Sequence, residues 1–239
     1  MDTTIDDFLG GRVRLKQPAK GLRATSDSVL VAAAVPAQSG ETVLDVGTGN
    51  GVIAACLNAR VAGLTLTGLD IQEDLLALAR ENAHLNHFDL RTVLADVQEH
   101  LSPLHGKQFH HVVSNPPFYT EPVARANKQT ALAYQERVPL RVWLDFCLRH
   151  IRAKGSLTLI HRAEALPEIL TALDRRLGKL EIIPLASKSG QPAKRIIVRG
   201  WLDSRQPLTL YPPLILHTAR NTRTSQAEAL LRAGEALSI

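Results

Sequence analysis

A chain of 239 residues can bury one full core and has no room for two separate enzymes. With 45% hydrophobic and 21% charged residues it has the balance of a folded globular protein, not of a disordered one. A net charge of +5 and a pI near 9.5 point to a polyanionic partner, with simple solubility as the alternative.

The N-terminal segment Met1–Asp7 is acidic and lacks a basic-then-apolar leader pattern, and the early apolar run Val29–Val35 is too short to span a bilayer. Cys56 and Cys147 each sit in an apolar stretch and read as buried free thiols; no metal site is expected. These signs place the chain in the cytoplasm with no membrane partner. The sequence is silent on oligomeric state.

Taken in order, Gly11–Lys16 alternates apolar and basic residues and Pro18–Gly21 supplies turn chemistry, which predicts a short basic β-hairpin. Thr25–Asp27 offers caps for a helix running to Val35, ended by Pro36 and Gly40. From residue 41 strands and helices alternate: Thr42–Val46, Val52–Arg60, Leu64–Asp70, Glu73–Leu85, Leu90–Ala95, Phe109–Ser114, Leu140–Ile151, Ser156–Ile160 and Glu164–Leu177. Short apolar strands separated by amphipathic helices predict a doubly wound α/β domain around a parallel sheet. There are too few units for an eightfold barrel. Leu180–Leu185 and Ile196–Leu202 then read as an antiparallel pair at the sheet edge, followed by a short strand Leu208–Tyr211 and a last helix from about Ser225 to Leu237. One domain, 1–239, is expected, with residues 1–40 as hairpin and helix and 41–239 as the core with its C-terminal extension.

The strand Val43–Val46 runs into Gly47-Thr48-Gly49-Asn50-Gly51 at a helix start. Glycines let backbone N–H groups approach a ligand, and the helix N-terminus favours a carboxylate or other anion. The dinucleotide fingerprint needs its third glycine one position later, where Val52 stands. The next strand ends in Asp70, about 20 residues on, the interval at which an acid meets a ribose diol. Asp96 ends the strand after that, either as a helix cap or as an acceptor for an adenine amine. These acids and the glycine turn fall at the carboxyl ends of successive strands, where open α/β sheets bind ligands.

This combination resembles the class I methyltransferase fold, Rossmann-like, with a mostly parallel seven-stranded sheet and an antiparallel C-terminal edge. The resemblance implies S-adenosylmethionine as cofactor, held by Asp45, Gly47, Thr48, Gly49, Gly51, Asp70, Ile71, Asp96 and Val97. It leaves Asp45 either ordering the loop backbone or facing the donor's ammonium group.

Phe109–Ser114 leads directly into Asn115-Pro116-Pro117-Phe118. Two prolines after a buried strand fix the chain direction and remove two N–H donors. What remains is a rigid corner of acceptors: the Asn115 oxygen and the Pro116 carbonyl suit the two hydrogens of an exocyclic amine, and Phe118 suits its planar ring. Acceptors that pull on both N–H bonds favour a pyramidal nitrogen, so they stabilise the transition state more than the ground state. His110 and His111 are read as core or surface residues and receive no role.

The tetrapeptide resembles that of amino-methyltransferases acting on adenine, cytosine, guanine N2 or a protein glutamine amide. Over nearly the full length, Phe8–Leu15, Gln17-Pro18, Thr25–Ala32, Pro192–Val198 and Ala227–Leu231 resemble the bacterial valine-tRNA adenosine N6-methyltransferase family. That resemblance implies a tRNA substrate methylated at the adenosine beside the anticodon, position 37. Charge supports it. Arg12, Arg14, Lys16, Lys20 and Arg23 precede the core, and between Lys188 and Arg223 seven basic residues, including Lys194, Arg195, Arg199, Arg205 and Arg220, face a single acid, Asp203. The candidate RNA contacts are Arg12, Arg14, Lys188, Lys194 and Arg195, with Tyr119, Arg125 and Lys128 beside the entering base; taken singly, each arginine also suits a solvated face.

Three rivals remain. A protein glutamine methyltransferase shares the tetrapeptide but carries an N-terminal helical domain, and fewer than 45 residues precede the strand that leads into the glycine loop. A ribosomal-RNA guanine N2-methyltransferase often carries a second methyltransferase-like half. A donor-binding subunit without catalysis is disfavoured by the intact Asn115–Phe118.

Overall fold

The computed structural model describes residues 2–19, 23–99, 103–117 and 138–239. Phe118, Tyr119, Arg125, Lys128 and Lys20, all assigned to substrate or RNA from sequence, lie outside the described residues. No helix among the described residues is long and apolar enough to cross a membrane.

Two strands form the hairpin, β1 (Thr3–Phe8) and β2 (Val13–Pro18), paired antiparallel from Thr3↔Pro18 to Phe8↔Val13. Its turn is at Leu9–Gly11, with Gly10 and Gly11 at φ 67° and 90°, and not at Pro18–Gly21 as the sequence suggested. The acidic N-terminus is itself the partner strand. Asp6 accepts from Gln17 Nε2 and Arg23, and Asp7 lies 4.0 Å from Arg14, so acids on β1 meet bases on and after β2.

Helix α1 (Ser26–Ala34) follows, and then the alternation β3 (Thr42–Val46), α2 (Val52–Arg60), β4 (Thr65–Asp70), α3 (Glu73–Leu85), β5 (Leu90–Leu94), β6 (Phe109–Ser114), α4 (Leu140–Arg149), β7 (Ile151–Arg162) and α5 (Leu166–Leu173). The chain ends in β8 (Gly178–Ala186), β9 (Arg195–Trp201), two short strands β10 (Thr209–Leu210) and β11 (Leu214–Ile215), and α6 (Ser225–Leu231). Helix α4 ends at Arg149 and β7 already starts at Ile151, several residues before the expected Ser156, because Phe109 of β6 pairs with Ile151 ahead of a register shift.

The central sheet runs β8-β9-β7-β6-β3-β4-β5, seven strands, with β3 to β7 parallel and β9 antiparallel to both β7 and β8. The expected antiparallel pair is therefore present. The outermost positions belong to β10 and β11, which add parallel to β8. Strand order reverses between β3 and β6, because β4 and β5 extend one way and β7 the other; that switch point opens a crevice at the carboxyl ends.

Successive residues of each strand face opposite layers. Val43, Val113, Ile160, Ile183 and Ile197 pack on α1, α2 and α6, whereas Leu44, Val112, Leu159, Ile182 and Val198 pack on α4 and α5. Both faces are buried, which is why these strands read as continuous apolar runs. Cys56 and Cys147 lie in different layers, and burial pushes the Cys56 thiol up to about 12.

Candidate active site

Strand register brings the ends of three strands side by side: Val46 of β3 pairs with Leu69 of β4 and with Ser114 of β6. Beyond Val46 the chain turns through Gly47, whose N–H donates to Leu69 O at 2.8 Å. Gly47 has φ 75°, and a Cβ there would come within 2.8 Å of the Trp143 ring. Only glycine meets both conditions. Gly51 serves the helix instead. It caps α2 in the left-handed conformation, and its missing side chain lets α2 approach Ala79 of α3. It does not line the cleft; Asn50 does.

The acids divide their roles. Asp70 is 3% exposed and accepts from Gly49 N at 2.9 Å and Gln72 N at 3.0 Å, so it ties the glycine loop to the start of α3. Burial raises its pKa, and the backbone N–H groups around it oppose that rise. Asp45 lies under the loop, where its Oδ2 accepts the Thr48 hydroxyl at 2.7 Å. Its Oδ1 is buried with no hydrogen-bond partner among the described residues. Desolvation drives Asp45 from 3.8 to about 7; the Thr48 hydrogen bond opposes this and the Asp70 charge adds to it. Asp96 accepts from Gln98 N at 2.9 Å, the local cap, and also lines a recess.

Two adjoining cavities run along these strand ends and share Gly47, Asp70 and Trp143. The smaller, about 290 Å³, is walled by Ile71, Ala95, Val97, Val138 and Trp143, with Asp96 at its edge. A mostly apolar slot bordered by the carboxylates of Asp70 and Asp96 suits an adenosine, with Asp96 as acceptor for the ring's amine. The larger, about 1050 Å³ and open to solvent, is lined by Thr48, Gly49, Asn50, Asn115, Pro116 and Pro117 on its inner side and by Arg23, Asp27 and Arg195 nearer the rim. The slot, the acids at the strand ends and the unpartnered Asp45 oxygen beneath the loop fit a nucleoside donor with an ammonium-bearing tail.

The acceptor corner is fixed from below and from the side. Trp143 Nε1 donates to Ser114 Oγ at 2.8 Å, and Ser114 Oγ donates to Val46 O at 2.7 Å, which joins α4, β6 and β3 at the foot of the corner. Asn115 Nδ2 donates to Ser28 Oγ of α1 at 3.1 Å, and Asn115 Oδ1 has no partner among the described residues. Sequence alone marks neither Trp143 nor Ser28. On a strongly amphipathic helix Trp143 reads as core, and Ser28 reads as helix-start composition. His111 instead bridges Glu41 and Ser156, at 2.8 Å each, away from the carboxyl ends.

The basic residues separate by end of the sheet. Arg195 pairs across from Arg162 at the carboxyl end of β7, lines the larger cavity and binds Asp27 at 3.0 Å. Lys188 and Lys194 precede it in the connection between β8 and β9, and Arg220 and Arg223 lie in the turn after His217, whose N–H donates to Ser187 O at 2.8 Å. Arg12 and Arg14 do not join them. Arg12 donates to Ala59 O and Ala233 O, and the main chain of Arg14 bonds to the Asn86 side chain. Ala59 stands eight residues after Gly51, about 12 Å along α2 from the glycine loop. Both arginines thus sit by the distal ends of α2 and α3, because the hairpin turn points away from the cleft. Arg199 does not join them either: it is 7% exposed, paired with Glu181 at 2.6 Å and bonded to Ala34 O, and so offers no surface charge.

Crossover order, glycine turn, acidic strand ends and acceptor corner together define a class I S-adenosylmethionine-dependent methyltransferase. The chain belongs to the methyltransferase small domain family, whose model matches residues 24–183, and to the family of proteins named tRNA1(Val) (adenine(37)-N6)-methyltransferase. A protein of that name from Porphyromonas gingivalis is 30% identical over 229 residues, 90% of this chain and 89% of its own. Another, from Glaesserella parasuis, is 28% identical over 181 residues, 74% of this chain and 75% of its own. Among solved structures, one described as a predicted O-methyltransferase from Agrobacterium tumefaciens has TM-score 0.74 and 26% identity, covering 89% of this chain and 98% of its own. An N-methyltransferase from Bradyrhizobium japonicum in complex with S-adenosyl-L-homocysteine has TM-score 0.51 and 15% identity, covering 75% of this chain and 86% of its own, and shares the fold.

Proposed function

We propose that this chain methylates the exocyclic N6 amine of an adenosine in tRNA, at position 37 of a valine tRNA as the names of its relatives state. The observation that carries the reading is the Asn115 carboxamide, held at the cleft beside the glycine loop with its oxygen unpartnered among the described residues.

When bound, S-adenosylmethionine supplies an electrophilic methyl group on a sulfonium. Asp70 at the end of β4 and Asp96 at the slot would hold the donor's polar parts, and Ile71, Val97 and Trp143 would enclose its flat ring. Asn115 Oδ1 and Pro116 O would accept the two amine hydrogens and orient the nitrogen lone pair for transfer, and the proton shed by the methylated nitrogen would pass from this corner to solvent, so orientation and charge stabilisation replace a strong base. Lys188, Lys194 and the turn bearing Arg220 and Arg223 give phosphates a basic rim on the same side.

A hydroxyl acceptor, as the Agrobacterium neighbour's description would suggest, needs a base to take its proton. Asp27 is paired with Arg195 and Asp70 is engaged by backbone N–H groups, so neither cleft acid favours that reading.

The test is incubation with methyl-labelled donor and total RNA from a strain lacking the gene, then nucleoside mass spectrometry. N6-methyladenosine in one tRNA is expected; a 2′-O-methylated nucleoside, or label in protein alone, overturns the reading. Asn115→Ala is expected to keep donor affinity while turnover falls about a hundredfold or more.

A further inference from the structure

Asn115 serves an amine in only one orientation. A carboxamide has an acceptor oxygen on one side and a nitrogen with two donors on the other, and a half-turn exchanges them with little change in shape. The acceptor amine brings two N–H donors of its own. Were the Asn115 nitrogen to face it, donor would meet donor.

The flanking backbone offers little help in choosing the orientation, because Pro116 and Pro117 contribute no N–H. Ser28 is the partner that the fold supplies. Its side chain comes from α1, is 5% exposed, and takes the Asn115 nitrogen at 3.1 Å. The first turn of α1 is itself anchored: Ser28 N donates to Thr25 O at 3.2 Å, and Asp27 is gripped by Arg195 of β9 at 3.0 Å. From Val29 to Ala34 every residue of this helix is buried and apolar, so alanine at position 28 would satisfy packing equally well. The hydroxyl has a different use.

We propose that Ser28 is a positioning residue for methyl transfer: its hydroxyl anchors the Asn115 nitrogen against α1, so that the carboxamide oxygen meets the acceptor amine. The inference rests on Asn115 as the acceptor of the amine hydrogens. In the reversed orientation both amide hydrogens would occupy the buried site where Oδ1 has no partner among the described residues. The Ser28 hydroxyl can accept from the amide nitrogen or donate to the amide oxygen, so the choice is made at the other end of the carboxamide, where an orphaned N–H pair costs more than an under-used carbonyl oxygen; the Ser28 bond then holds the productive orientation.

The experiment is a double-mutant cycle under single-turnover conditions. Ser28→Ala is expected to lower the rate about three- to tenfold, the worth of one hydrogen bond, with donor Kd and tRNA affinity unchanged. Ser28→Cys, which keeps the volume but is a weak acceptor, is expected to show the same loss. In an Asn115→Ala background either change is expected to have no further effect, because Ser28 acts through Asn115. An unchanged rate in both single variants overturns the proposal, as does an equal loss in the Asn115→Ala background, which would mark Ser28 as structural. Failure of the underlying reading has its own signature: Asn115→Ala alone would then turn over at the wild-type rate.

Discussion

Asp45→Asn isolates the cost of a carboxylate buried beneath the donor loop. The substitution preserves shape and an oxygen for the Thr48 hydroxyl while removing the titration. Burial raises Asp45 from 3.8 to about 7, so the folded protein holds this proton more tightly than the unfolded chain does. Unfolding free energy therefore falls as pH rises, beginning near about pH 4 and ending just above about pH 7; the full difference is about 4 kcal/mol. Between about pH 5 and about pH 8 the wild type is expected to lose about 2.5 kcal/mol relative to Asp45→Asn. Urea unfolding of both proteins across that range, plotted as the difference, reads Asp45 together with its coupling to Asp70, since the remaining titrations are common to both. The new amide adds a constant offset, so the slope decides. A flat difference curve would refute the claim that Asp45 is desolvated and uncompensated.

Gly47→Ala places a side chain at φ 75° and 2.8 Å from Trp143; stability is expected to fall by about 2–4 kcal/mol and donor affinity by at least about tenfold, read by urea unfolding and calorimetric titration. Trp143→Phe removes the indole donor to Ser114 but keeps most of the ring, with an expected loss of about 1 kcal/mol in unfolding; an unchanged urea midpoint would show that the link from α4 to the catalytic corner carries no stability. Lys188→Glu with Lys194→Glu is expected to raise the tRNA Kd and flatten its salt dependence, whereas Arg14→Glu, at the distal end of α3, leaves both unchanged in fluorescence anisotropy. Equal effects from the two ends would remove the distinction between a basic rim and a basic hairpin.

The catalytic chemistry is readable where it is contiguous. Gly47 to Gly51 and Asn115 to Pro117 each carry their backbone consequences within a few residues, and the strand before each is short and mostly buried because both sheet faces are covered. Asp70 and Asp96 are readable by spacing, since a strand–helix unit has a nearly constant length. Partners distant in the chain are not. Ser28 meets Asn115 across 87 positions and Arg195 meets Asp27 across 168, and no local pattern encodes such pairs. Trp143 lies on a helix whose periodicity says only that the ring is buried. That it walls the recess at the strand ends depends on α4 lying beside Gly47.

Charge shows the same division. Composition shows an excess of bases before and after the core. The hairpin register then carries Arg12 and Arg14 to the distal ends of α2 and α3, and pairing with Glu181 buries Arg199, while Lys188 and Lys194 stay in the β8–β9 connection at the carboxyl end of β8. The sequence by itself determined the class of chemistry, because backbone turns and strand ends follow from neighbouring residues. The tertiary structure alone decided which partner the Asn115 amide takes and which cations stand at the carboxyl ends of the strands, because those depend on side chains brought together by packing rather than by succession.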